Sequence, residues 1–169
     1  VSRADAAARA LTDQYSPDVW PVDLDKVAGQ LGLLIVRQPA DADVHAMLIR
    51  RTGQEAVGLN DTRHQADQRF ALAHAIGHHQ LHARRELIID VANRYRLGRL
   101  ASVPTDREEA EANRFAAALL IPELVVRKMA AEADFTIGAQ LVGLLAPRFE
   151  VSQVVMACRL MMLGIVLDA

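Results

Sequence analysis

The chain has 169 residues, 51% of them hydrophobic, and a formal net charge of −2. That size and apolar content suit one globular domain with a sizeable core, and the near-neutral charge leaves no basic footprint for phosphate backbones or anionic membranes. Direct binding to nucleic acid or to a membrane is therefore not expected. The single cysteine, Cys158, lies in an apolar run and forms no intramolecular disulfide. It reads as a buried small hydrophobe in a reducing compartment. The N-terminal "VSRADAAARA" carries charges where a signal peptide needs an apolar stretch, and no later run approaches the ~20 apolar residues of a membrane span. A soluble, cytoplasmic protein is expected. Because the chain opens on Val1, removal of an upstream segment fits as well.

Residues 2–15, rich in Ala and Arg, predict a helix, and Pro17 and Pro21 interrupt it before "VDLDKVAGQLG" begins a second, ending at Gly32. "LLIVRQ" (33–38), "AMLIRR" (46–51) and "EAVGLN" (55–60) are short aliphatic segments, with a hairpin signal in "TGQ" (52–54). They predict a small mixed or mainly antiparallel sheet of about three strands. From about Arg63 to Ala83, Phe70, His74, Gly77, His78 and Leu81 recur at helical spacing, so the histidines share an inward stripe. Residues 85–106 show no sustained period and are expected to form a loop, in which "ELIIDVA" could make a turn of helix or a strand. "REEAEANRFAAALL" (107–120) predicts a helix with acids in its first turn, Pro122 starts another at "PELVVRKMAAE", and two more, near 137–147 and 152–163, close the chain. Residues 1–169 thus read as one α+β domain: helices and a small sheet over 1–62, a helix bearing the histidines over 63–84, and a mainly helical part over 107–169.

"LAHAIGHHQLH" (72–82) places His74 and His78 four residues apart, so their side chains project together and could reach one ion. His82 continues the stripe, but His74 and His82 stand eight residues apart, roughly 12 Å along a straight helix, too far to share an ion. His78 with His82 is the rival register. Gly77 favours the first, because a small residue lets another element approach beside the ligands. A third ligand is available downstream: Glu108 and Glu109 fall on the apolar arc of the 107–120 helix, with Glu111 at its edge. A carboxylate on such an arc is costly unless paired or metal-bound, although first-turn acids facing water are the plain alternative. Asn113, one turn below Glu109, is placed to support a ligand through a hydrogen bond.

Together these residues resemble the ImmA/IrrE family of zinc metallopeptidases. The resemblance rests on "GLN" (58–60), "QRFALAHAIGHHQLH" (68–82) and "EAEANRFAAALLIP" (109–122), with "PVDLDKVAGQLGLLIV" and "LLAPRFEVSQVVMACRLMMLG" flanking them. It implies a zincin-like fold, a small sheet packed on an active-site helix, and one Zn2+ per chain held by His74, His78 and Glu109. Asn113 and His82 would be supporting residues, and Glu108 drops out. An exposed sheet edge, with "EAVGLN" as the candidate, would pair with an extended substrate. The implied function is regulatory proteolysis of a protein partner, a helix-turn-helix repressor or an antitoxin-like protein.

One position departs from the pattern. Ala75 stands where the resemblance implies the general-base glutamate of H-E-x-x-H, so the metal ligands remain and the proton acceptor does not. Either a glutamate has been replaced there, or the chain is a natural pseudopeptidase that binds a partner without cutting it. His79, Glu108 and Glu111 are the residues that could substitute as a base. The C-terminal "GAQLVGLLAPRFEVSQVVMACRLMM" also has the look of a helix-turn-helix, but its segment 152–163 offers only Ser152, Gln153 and Arg159 among apolar side chains, which reads as a core helix.

Overall fold

The computed structural model describes residues 2–16, 20–51, 53–83, 86–91, 105–133 and 138–165. In chain order the elements are α1 (Arg3–Tyr15), α2 (Leu24–Gln30), β1 (Leu33–Gln38), β2 (Val44–Arg51), β3 (Gln54–Asn60), α3 (Gln65–Leu81), β4 (Leu87–Val91), α4 (Asp106–Leu120), α5 (Glu123–Glu132), α6 (Gly138–Arg148) and α7 (Gln153–Met162). The architecture is α+β, with one open mixed sheet and a mainly helical C-terminal half. Helix starts follow local chemistry. The side chains of Ser2, Asp23, Thr105 and Ser152 accept the amides of Asp5, Lys26, Glu108 and Val155, satisfying donors that a helix end leaves open.

The strand order is β1-β3-β2-β4. β2 and β3 form the expected hairpin, turning through Gly53 at φ +84°, a left-handed position that glycine takes without a Cβ penalty. β1 runs parallel to β3, and β4 pairs antiparallel with β2.

Two expectations are corrected. The sheet has a fourth strand, because "LIIDV" pairs with β2 and buries Ile88 in the core. "EAVGLN" is not an edge: β1 and β2 occupy both sides of β3, whose Val57 and Leu59 are buried, and the edges among the described residues are β1 and β4. The physical reason is that the strand with two hydrogen-bonding neighbours is set by tertiary pairing, not by its place in the chain.

One face of the sheet, with Ala46, Leu48, Val57 and Ile88, shares a core with α3 residues Ala71, Leu72 and Ile76. On the far side of α3, α4 contributes Phe115, Leu119 and Leu120 to the same core. Asn60 fixes the passage from β3 toward α3. Its buried amide donates to the carbonyls of Ala40, Asp41 and Val44, while its oxygen accepts from the amides of Ala40 and Thr62 and from the Thr62 hydroxyl.

Arg50 of β2 donates to the carbonyl oxygens of His78 and His82, at 3.0 and 3.1 Å. These are carbonyls at the C-terminal end of α3, where positive charge is favourable. Asp5 of α1 accepts from Arg114 of α4 at 2.7 Å and from Arg159 of α7 at 2.8 Å. Arg159, the basic side chain of the second helix of the helix-turn-helix-like segment, is thus buried in an ion pair. Cys158, expected to be buried, is only partly so, because α7 leaves part of its surface outside the core. No single helix among the described residues is long and apolar enough to cross a membrane.

Candidate metal centre

The centre forms where α3 and α4 cross. A Cβ on Gly77 would lie 3.0 Å from Phe115 Cδ1 and 3.2 Å from the Ala112 carbonyl oxygen, so only a glycine leaves room for α4 at this distance. That approach carries Glu109, one turn before Asn113 on α4, to the two histidines one turn apart on α3. His74 Nε2 lies 3.0 Å from His78 Nε2 and 3.4 Å from Glu109 Oε2, and His78 Nε2 lies 3.3 Å from Glu109 Oε1. All three side chains are buried, and together they form a group that could hold a metal ion.

Hydrogen bonding at the outer ring nitrogens decides what these atoms offer. His74 Nδ1 lies 2.9 Å from Asn113 Oδ1, an acceptor, so the ring proton sits on Nδ1 and the Nε2 lone pair points inward. His78 Nδ1 lies 2.9 Å from His82 Nδ1, and His82 Nε2 lies 3.2 Å from Glu111 Oε2. The carboxylate accepts from His82 Nε2–H, so with one ring proton on each residue His82 Nδ1 accepts from His78 Nδ1–H. His78 Nε2 is then also a bare lone pair.

Two imidazole lone pairs and a carboxylate facing one another are mutually repulsive unless a cation stands among them. Ligands at ~2.0–2.2 Å around a tetrahedral zinc are about 3.3–3.5 Å apart. The separations of 3.4 and 3.3 Å from Glu109 to the two rings fit that face, and the 3.0 Å between the two imidazole nitrogens is a few tenths of an ångström shorter.

Without a metal, the same cluster draws a proton to His74. Burial resists charging His74, but the hydrogen bond to Glu109, the charges of Asp90 and Glu109 and the bond to Asn113 outweigh it, so its pKa is raised above 6.5. Burial, reinforced by the neighbouring rings of His74 and His82, lowers that of His78. Burial also works against ionising Glu109, yet its bonds with His74 and His78 hold the carboxyl far below the usual range. The pocket favours an anion on α4 and a positive charge beside it.

A family model described as Peptidase_M78, the IrrE N-terminal-like domain, matches residues 28–161. The chain belongs to this peptidase family. Among curated proteins, none matches it. The α+β architecture is that of a zincin-like Peptidase_M78 domain, and membership makes the chain a metallopeptidase by family. The match takes in α3 and α4 whole, and with them every residue of the centre.

Ala75 is buried on α3 between the two histidines and brings no acceptor atom. The three residues weighed as substitute bases are engaged elsewhere. His79 Nε2 lies 2.9 Å from Glu55 on β3, Glu108 closes a capping box with Thr105, and Glu111 is held between Arg107 and His82. The capping box had a readable signature in Thr105-x-x-Glu108 that assigns Glu108 to the helix start.

Sequence reasoning missed Arg50 and Asp90. In the β2–β4 register Asp90 sits opposite Ala46 and Ile88 opposite Leu48, which puts Asp90 on the sheet face toward α3, within electrostatic reach of His74. His45 Nδ1 lies 3.7 Å from Asp90 Oδ2. No local pattern announces these contacts, because those of Arg50 need β2 packed against α3 and those of Asp90 need β4 joined to the sheet. Tyr95 and the arginines of the 85–106 segment, side chains of a kind that can stabilise an oxyanion, lie outside the described residues.

Proposed function

We propose that the chain is a zinc metallo-endopeptidase of the ImmA/IrrE type, with zinc held by His74, His78 and Glu109, and that Ala75 leaves it inactive or greatly impaired. Its partner is a protein, a helix-turn-helix repressor or an antitoxin-like relative, met in the cytoplasm without direct nucleic-acid contact. The observation that carries this reading is the convergence of three lone-pair donors at 3.0–3.4 Å with their outer nitrogens already satisfied.

When bound, zinc supplies Lewis-acid chemistry, polarising a carbonyl and acidifying water. The protein's own share is positional. Asn113 orients His74, His82 orients His78, and Glu109 supplies the compensating anion. β4, with a single strand partner among the described residues, offers an edge along which an extended segment could pair, and its Asp90 faces the centre. What the site lacks is a carboxylate at residue 75 to take a proton from the attacking water, a loss of about 10²–10⁴ in rate.

Ala75 also favours a second reading, a pseudopeptidase that sequesters its partner. Incubating Ala75→Glu protein with zinc and a helix-turn-helix repressor separates the two: new cleavage supports the peptidase, and intact repressor held in a complex supports the binder.

A further inference from the structure

The bond from His82 to Glu111 extends the metal centre outward to the protein surface, and this rests on the zinc-ligand reading above. We propose that Glu111, acting through His82, is a positioning residue that sets the tautomer of His78 and thereby its competence to bind metal. The chain of contacts is continuous. His78 is fully buried, its Nδ1 is 2.9 Å from His82 Nδ1, the 5%-exposed His82 places Nε2 3.2 Å from Glu111 Oε2, and Arg107 Nε donates to Glu111 Oε1 at 3.0 Å.

Two proton arrangements fit the contact between the imidazoles, and they have opposite consequences. If His82 carries its proton on Nε2, its Nδ1 accepts from His78, and His78 Nε2 is a free lone pair. If His82 carries a proton on Nδ1, it donates to His78, and His78 must bear its own proton on the atom that faces His74 and Glu109. Only the first binds a metal. A carboxylate has no proton to give, so Glu111 selects the first.

His82 interrupts the helix at the place this requires. It is the C-cap of α3 at φ −128°, outside helical conformation, and its amide still bonds to the His78 carbonyl. Arg50 ties down the carbonyls of the same two residues from β2. The backbone is thus pinned while the side chain turns back onto His78, with ring centroids 4.9 Å apart. His74 has its own acceptor in Asn113, so each of the two histidines is set by a different partner on α4.

The test combines chelator-competition titration of zinc with 15N NMR of the histidine rings in metal-free and zinc-loaded protein. The expected result is Nε2–H on His82 and Nδ1–H on His78. Zinc affinity falls by about 10- to 100-fold in His82→Ala and roughly tenfold in Glu111→Leu. Glu111→Gln, which keeps an acceptor oxygen, stays close to the parent. A purely structural role for Glu111 predicts no ring-proton shift in the Leu variant and no rescue by Gln. Nδ1–H on His82, or unchanged zinc affinity in Glu111→Leu, overturns the proposal. If the parent protein takes up no stoichiometric zinc, the ligand reading itself fails, and the metal-free spectrum still decides the His82 tautomer.

Discussion

Gly77 of α3 lies so close to Ala112 of α4 that a Cβ at residue 77 would stand 3.3 Å from the Ala112 Cα and 3.2 Å from its carbonyl oxygen. Backbone on that side cannot yield as a flexible side chain would. Gly77→Ala is therefore expected to push α4 outward, costing about 1–3 kcal/mol by overpacking despite the better helix propensity of alanine. Glu109 and Asn113 move with α4, so metal affinity falls as well. Chemical denaturation and zinc titration of the same variant check both effects, and a Gly77→Ala protein at least as stable as the parent with unaltered affinity counts against this packing.

Asp5 ties α1 to the middle of α4 through Arg114. Burial opposes its ionisation, but bonds from Ser2, Arg159 and Arg114 hold its pKa down to about 2. A depressed carboxylate contributes stability that is present above its unfolded pKa and lost as pH falls through the folded value. The window is therefore between about pH 4 and pH 2, and the contribution is up to about 2 kcal/mol. Comparing urea unfolding of the parent and Asp5→Asn across that range reads it out: the parent's advantage at pH 5 should disappear by pH 2. An advantage independent of pH would show that the ion pairs do not act through Asp5 ionisation.

Ala75→Glu restores the missing proton acceptor without touching a ligand. Zinc stoichiometry is expected to stay the same, while cleavage of a helix-turn-helix repressor or a disordered protein substrate rises by about 10²–10⁴. Mass spectrometry of the products measures it. Intact substrate with zinc bound would leave the non-catalytic binder as the better reading.

The centre was more legible in the sequence than the sheet that flanks it. His74, His78 and Gly77 lie within one helix, and Glu109 and Asn113 within another, so spacing at 3.6 residues per turn already placed each set on a shared face. Which carboxylate would face the histidines was not settled by periodicity, since Glu108 and Glu109 shared the arc and only the crossing of α3 and α4 selects one. Strand pairing is non-local: β1 joins β3 across the intervening β2, and β4 adds to β2 after all of α3. The contacts set by tertiary packing, Arg50 on the end of α3 and Asp90 facing His74, had no local signature.

The central claim is that His74, His78 and Glu109 hold one zinc ion. Elemental analysis of untagged protein after dialysis, alongside His74→Ala and Glu109→Ala, tests it most directly. The account predicts close to one zinc per parent chain and a loss of stoichiometric metal in both variants, with the fold retained by circular dichroism. A parent protein free of metal after zinc loading, or variants that keep a full equivalent, would contradict it.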